Sequence, residues 1–252
     1  MKISIITATL NSASVIDYCL ASVQSQKHYD IEHIIIDGAS TDGTLSLLKT
    51  KREQFKVLVS EPDKGIYDAM NKGINLATGD IIGFLNSDDF YASNNVLSRV
   101  ASIFKDNPLL DACYADLIYI DPSDYSKKIR YWRSSKFTFG LFAKGWCPPH
   151  PTFFVRRSVY QSFGNFDLNY RISSDVEFMM RLLEVKKINA RYIPELWVKM
   201  RIGGTSNKNF ENILMQNKEV LHALKNHNLS VNWISFFFHK IINRGLQFLK
   251  KN

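Results

Sequence analysis

The chain has 252 residues, 45% of them hydrophobic, and 32 Lys and Arg stand against 24 Asp and Glu for a formal charge of +8. That length buries one sizeable core with a small appendage, and the basic balance implies an anionic partner: nucleic acid, a phosphorylated small molecule or an acidic lipid surface. No zinc-finger, RNP or helix-turn-helix pattern is present, which sets nucleic acid aside, and three scattered cysteines (Cys19, Cys113, Cys147) argue against a disulfide framework or zinc site and for a reducing compartment.

Residues 1–10 hold one lysine and a short apolar run with no small-residue cleavage site, unlike a signal peptide. Residues 2–9 (KISIITAT) read instead as a buried parallel strand, with Asn11 and Ser12 as caps for a helix over 13–26. A second strand over 32–36 runs into Asp37 and Gly38. A helix over 44–53, a strand over 56–60, a helix over 67–77 and a strand over 80–85 follow, and this alternation predicts an α/β sandwich with a mainly parallel central sheet. In the third helix Tyr67, Met70 and Ile74 have core spacing, while Lys64, Asp68 and Lys72 suit a solvated face. Beyond residue 91 the pattern loosens into a mixed half: a helix over 96–104, short strands over 112–118, 129–132 and 152–155, and helical spacing over 209–225.

Ligands of parallel α/β sheets sit at the carboxyl ends of the strands, and here those ends carry residues 7–9, Asp37, 61–63 and 86–89. Asp37, in IIIDGASTDGT, is placed to accept hydrogen bonds from a base or ribose, although the same residues suit a capped turn. FLNSDDF sets Asp88 and Asp89 side by side near Asn86, hard oxygen ligands for Mg²⁺ or Mn²⁺ bridging a diphosphate, or else two acids opening a helix. In ISSDVEFMMRL, Ser173 or Ser174 is placed to cap a helix whose first turn holds Asp175 and Glu177, with Glu177 spaced to pair with Arg181. In GWCPPHPTFF, His150 lies between prolines near Trp146, a ring suited to stacking on a sugar.

TATLN at 7–11, DGASTDGT at 37–44, EPDKGIYDAMNKGINLATGD at 61–80 and NSDD at 86–89 occur in that order. The series resembles family 2 glycosyltransferases of the GT-A fold, of the bacterial surface-polysaccharide kind, over residues 1–206. The resemblance implies a nucleotide-sugar-binding half over 1–91, an acceptor-binding half over 92–206 and a helical tail over 207–252. The backbone around Thr7, Ala8 and Thr9 and the side chain of Asp37 would hold a uridine-like base, with Asp63, Lys64 and Asn86 close to the nucleotide. Asp88 matches the last aspartate of the family's metal motif, Asn86 replaces the first, and Asp88 with Asp89 would hold Mn²⁺ or Mg²⁺. Asp175 would take the proton of the attacking hydroxyl, His150 and Trp146 would belong to an acceptor-side loop, and Arg201, opening RIGGTS at 201–206, would neutralise the leaving diphosphate.

The implied activity is inverting transfer from a UDP-sugar to a saccharide hydroxyl, with a lipid-linked glycan as acceptor, in a bacterial cytoplasm. Residues 231–252 combine aromatics with four Lys/Arg and no acid. They suit an interfacial helix on the anionic inner face of the plasma membrane, or a helix docked on the domain, and are too interrupted by charge to span. Two rivals share these signals. A sugar-nucleotide nucleotidyltransferase would carry a glycine-rich loop after its first strand, which TATLNSAS lacks, and a non-catalytic glycan- or lipid-binding module would not need Asp88, Asp89 and Asp175 together.

Overall fold

β1 (Ile3–Thr9) is buried along its whole length because it lies between two parallel neighbours, β2 (Ile31–Asp37) and β4 (Ile81–Phe84). β2 in turn pairs parallel with β3 (Val57–Ser60), and the apolar runs of these strands reflect helices on both sheet faces. The computed structural model describes residues 1–203 and 210–249. Within them the expected helices form as α1 (Ile16–Gln24), α2 (Thr44–Thr50) and α3 (Ile66–Leu76).

Asn11 and Ser12 do not cap α1, which starts at Ile16 without a side-chain cap. Asn11 is left-handed (φ 51°) and its Oδ1 accepts from the Thr41 N–H at 2.9 Å, while the Ser12 N–H donates to Thr44 Oγ1 at 2.7 Å. Both residues stitch the turn after β1 to the turn after β2, because short polar side chains satisfy loop backbone as readily as helix ends.

The second half adds β5 (Phe90–Tyr91), α4 (Val96–Asp106), β6 (Ala112–Ile120), β7 (Lys128–Trp132), β8 (Phe154–Arg156), α5 (Arg157–Phe163), α6 (Ser174–Met180) and β9 (Ala190–Arg201). The sheet runs β3-β2-β1-β4-β8-β6-β9-β5, with β7 on β6. Its first half is parallel, and its second half is mixed: β8 is antiparallel to both β4 and β6, β9 is parallel to β6, and β5 is antiparallel to β9. The twelve-residue β9 is absent from the sequence reading, which has no strand after 155.

Apolar residues close over both faces. Ile6, Ile34 and Ile36 pack with Met70 and Ile74 of α3 and with Val176 and Met179 of α6; Ile3 and Ile5 pack on the other face with Cys19 and Val23 of α1 and Val100 and Phe104 of α4. Beyond the sheet, α7 (Phe210–Asn226) and α8 (Trp233–Leu249) are helical. Val220, Ala223, Leu224 and Phe236 belong to the first of these cores, so the C-terminal helices dock on the sheet domain. The boundary at 206/207, residues 204–206 of the glycine-containing loop and residues 250–252 of the tail lie outside the described residues.

Candidate active site

The polar ends of β1, β2 and β4 meet at one edge of the sheet, where Thr9 is in register with Asp37, and Asp37 with Ser60. Asp37 is fully buried, its carboxylate accepting from the Ser40 N–H at 3.1 Å, the Ser40 hydroxyl and the Ser60 hydroxyl at 2.6 Å. A base or ribose reaches it only if one of those serine hydroxyls turns away. The Thr7 hydroxyl lies inside the sheet, 3.0 Å from His33 Nε2 and 3.6 Å from Cys19 Sγ. Ala8 packs in the core, whereas Thr9 carries a buried Oγ1 with no partner.

Asp63 leans over this edge. A Cβ on Gly38 would fall 2.5 Å from Asp63 Oδ2, so glycine at this position lets the Asp63 carboxylate lie against the turn after β2. Asp63 Oδ1 accepts from the Gly65 N–H at 2.8 Å and Asp68 Oδ2 from the Lys64 N–H at 3.0 Å, which organises the entry to α3 and leaves the Lys64 side chain exposed. Lys72 is a surface partner of Glu61 and Asp68, as expected of a solvated face.

After β4 the chain turns through Asn86, Asp88 and Asp89. Asn86 Nδ2 donates to Asp89 Oδ2 at 2.9 Å, while Asp89 Oδ1 is buried without a partner. Burial drives the Asp89 carboxyl well above the usual carboxylate range, and the neighbouring Asp88 adds to it. Asp88 is half-exposed and raised for the same first reason, burial. The pair is therefore an accessible carboxylate with a buried one behind it.

Arg201 meets this pair because β5 and β9 run antiparallel, Phe90 opposite Lys199 and Tyr91 opposite Val198, which carries Arg201 back alongside Asp88. Its side chain is 5% exposed and its Nε and Nη2 have no partner, so it is not a surface arginine. Tyr18 and Tyr125 hold the guanidinium at 5.0 and 4.5 Å from their ring centroids. A buried cation with free donors beside two carboxylates is a site for an anion, a divalent cation, or both. The described residues contain no cluster of three His, Cys, Asp or Glu. Two adjacent carboxylates, one with a free buried oxygen, nonetheless fit Mg²⁺ or Mn²⁺, which take one or two protein carboxylates and complete their shell with phosphate oxygens and water.

A third carboxylate lies across the aromatic floor of the same edge. Phe84, two residues before Asn86, stacks on His150 at 5.2 Å and meets Phe166 edge-on at 5.3 Å; Phe166 touches Tyr67 at 5.5 Å, and the Tyr67 hydroxyl lies 2.7 Å from Asp175 Oδ1. Asp175 is half-exposed in the first turn of α6. Tyr67 is therefore more than the core residue its spacing suggests. His150 is buried with Nε2 unpartnered, and burial lowers its basicity with Asp175 pulling weakly the other way. The serines expected to cap α6 do not. Ser173 Oγ donates to Gln216 O and Ser174 Oγ to Asp167 O, while Glu219 of α7 accepts from the N–H groups of Arg171, Ile172 and Ser173, each at 2.9 Å.

Two expected residues are otherwise engaged. Glu177 forms the anticipated pair with Arg181 at 2.9 Å, and His227 adds a contact at 2.7 Å. The Trp146 ring, placed in the sequence for sugar stacking, is half-buried among Phe142, Phe137 and Tyr114 at 5.5, 5.9 and 6.1 Å, leaving only part of it for a ligand.

The family model of glycosyl transferase family 2 matches residues 4–164. The chain belongs to that family. Among curated relatives, a PGL/p-HBAD biosynthesis glycosyltransferase of Mycobacterium bovis is 32% identical over 201 residues, covering 75% of this chain and 73% of the relative. A glycosyltransferase of Mycobacterium tuberculosis described as uncharacterized is 31% identical over 181 residues, covering 71% and 68%. Solved structures share the fold. S. aureus TarS 1-349 in complex with UDP-GlcNAc has TM-score 0.67 at 17% identity, over 98% of this chain and 73% of that one. The mannosyltransferase PcManGT from Pyrobaculum calidifontis in complex with GDP-Man and Mn²⁺ has TM-score 0.65 at 17% identity, over 98% and 69%. This glycosyltransferase thus has the GT-A fold. The family match ends before Asp175 and Arg201.

Proposed function

We propose that this glycosyltransferase transfers a sugar, with inversion, from a UDP-sugar to a hydroxyl of a saccharide. The observation that carries the reading is the placement of Asp88 and Asp89 near the buried Arg201 guanidinium, whose Nε and Nη2 have no partner, at the carboxyl end of the sheet. The nucleoside lies over Thr9, Asp37 and Asp63, with Lys64 and Asn86 beside the nucleotide. Arg201 would donate Nε–H and Nη2–H to the diphosphate, and Asp88 together with Asp89 would hold a divalent ion. Mn²⁺ or Mg²⁺ bound there supplies positive charge to the diphosphate, as the Mn²⁺ in the PcManGT complex suggests.

Asp175 receives the proton of the acceptor hydroxyl as its oxygen forms the new bond to the anomeric carbon. The bond from that carbon to the diphosphate oxygen breaks, and the electron pair leaves with UDP. A single displacement of this kind inverts the configuration. His150, neutral and buried against Phe84, shapes the acceptor side, together with the exposed part of Trp146. Residues 1–91 then serve mainly the donor and 92–206 mainly the acceptor, with Arg201 contributing to the donor's diphosphate.

The acceptor we infer is a lipid-linked glycan in surface-polysaccharide synthesis, met at the inner face of a bacterial plasma membrane. No helix among the described residues is long and apolar enough to cross a membrane. α8, however, buries Phe236 against the domain and exposes Trp233, Ile234, Phe238 and Ile241 at 63, 82, 60 and 71%, a face suited to lying in an anionic interface.

Calorimetry with UDP, with and without Mn²⁺, on the parent and on Asp88→Ala tests the donor site. Metal-dependent binding that the variant loses supports the reading, metal-independent binding moves it to a metal-free transfer, and no binding to the parent removes the nucleotide assignment.

A further inference from the structure

Asp175 sits on a short helix, and a carboxylate that must receive a proton from one particular hydroxyl needs a defined orientation. α6 by itself does not fix one, because an aspartate in a first helical turn still has more than one staggered rotamer open to it. What restrains Asp175 comes from 108 residues away: the Tyr67 hydroxyl is 2.7 Å from Asp175 Oδ1 and 2.8 Å from the Ile172 carbonyl.

The phenol has one proton and two acceptors. An ionised carboxylate is the stronger of them, so the hydrogen goes to Asp175. Burial, reinforced by the negative charge of Asp175, holds Tyr67 well above the ordinary phenol range, which keeps it a donor at every working pH. The ring is itself fixed, 8% exposed in the core and in contact with Phe166.

We propose that Tyr67 is a positioning residue for the proton-accepting carboxylate: it holds Oδ1 and turns the half-exposed Asp175 so that Oδ2 meets the acceptor hydroxyl. The proposal rests on Asp175 being the base. It also ties the two substrates together, because Tyr67 stands in the first turn of α3, directly after the Asp63–Gly65 bond that orders the segment over β2. One helical turn therefore sets the base relative to the donor-side loop.

The test is steady-state turnover of the parent, Tyr67→Phe and Asp175→Asn with whichever nucleotide sugar the parent uses, at a temperature where each is folded. Tyr67→Phe should lower kcat about tenfold, with donor KM within about twofold. In the Asp175→Asn background the same change should add less than about twofold, because the two side chains act as one unit. A merely structural tyrosine would lower Tm and leave kcat of the folded enzyme in place; a kcat within about twofold of the parent, or an undiminished effect of about tenfold in Asp175→Asn, overturns the proposal. Parent-like turnover by Asp175→Asn alone would instead remove Asp175 as base. Should Tyr67→Phe fail to fold, 4-fluorophenylalanine at position 67 fills the place of the hydroxyl without donating and must show the same fall in kcat; parent-like turnover is again fatal.

Discussion

Arg201 lies 4.5 Å from the Tyr125 ring centroid and has two guanidinium nitrogens without a partner. Stacking on aromatic rings holds a guanidinium in place without using its donors, which leaves Nε–H and Nη2–H of Arg201 for the proposed diphosphate. Arg201→Ala is expected to weaken UDP binding at least about tenfold while leaving uridine, which lacks the diphosphate, unchanged. Arg201→Lys should recover only part of the loss, since an ammonium lacks the fork. Calorimetry with the two ligands decides it, and equal losses for both would place Arg201 away from the phosphates.

Glu219 makes α7 part of the catalytic framework by accepting three successive backbone N–H groups ahead of α6. Glu219→Ala leaves those donors to water and should cost roughly 2 kcal/mol, read as a lower Tm. Turnover should fall with it at temperatures where the variant is still folded, because Asp175 starts from the same segment. A variant with parent-like kcat and a lowered Tm would confine Glu219 to stability.

Stability on the acid side is expected to depend on Glu32. Burial opposes its ionised form, but donors from Lys2, Ser4 and Thr78 outweigh that and hold its pKa at about 2. A carboxyl depressed in the folded state stabilises fully above its unfolded value of about 4.3, and that contribution, up to about 3 kcal/mol, is lost as pH falls towards 2. Denaturant melts of parent and Glu32→Gln should differ most near neutrality and converge below about pH 3.

The exposed face of α8 offers a surface experiment that spares the core. Deleting the helix would also remove Phe236, which is fully buried. Ile234→Ser combined with Ile241→Ser alters two residues that are 82 and 71% exposed, so Tm should hold. Binding to vesicles containing anionic lipid should fall about tenfold. Unchanged vesicle binding would take this face out of membrane contact.

The parallel half of the sheet was legible because buried strands leave nearly continuous apolar runs, as in residues 3–6 (interrupted only by Ser4), 34–36 and 81–84, and because polar residues at their ends have no place in a core. β9 was not. Its sequence ARYIPELWVKMR includes Pro194 and four charged residues, and it pairs with β6 through register shifts near Asp116 that blur any alternation. With β9 unread, nothing in the sequence brings Arg201 beside Asp88. Tyr67 lies in the core as its spacing predicts, but helical spacing reports only which face a ring occupies, while its hydroxyl answers to Asp175, a partner that only the folded chain supplies. Thr7 shows the converse, a motif residue whose position in the strand puts its side chain against His33, inside the sheet.

β8 has three residues, yet Val155 is in register with Ile82 on one side and Ala112 on the other. The strand is a keystone. A fragment ending near residue 91 would leave β4 with a bare backbone edge, and such edges recruit other chains. Exchange of the proposed acceptor half between relatives therefore has to carry β8 and its partner positions on β4 together. A graft that respects only linear order would trade a change of acceptor for aggregation.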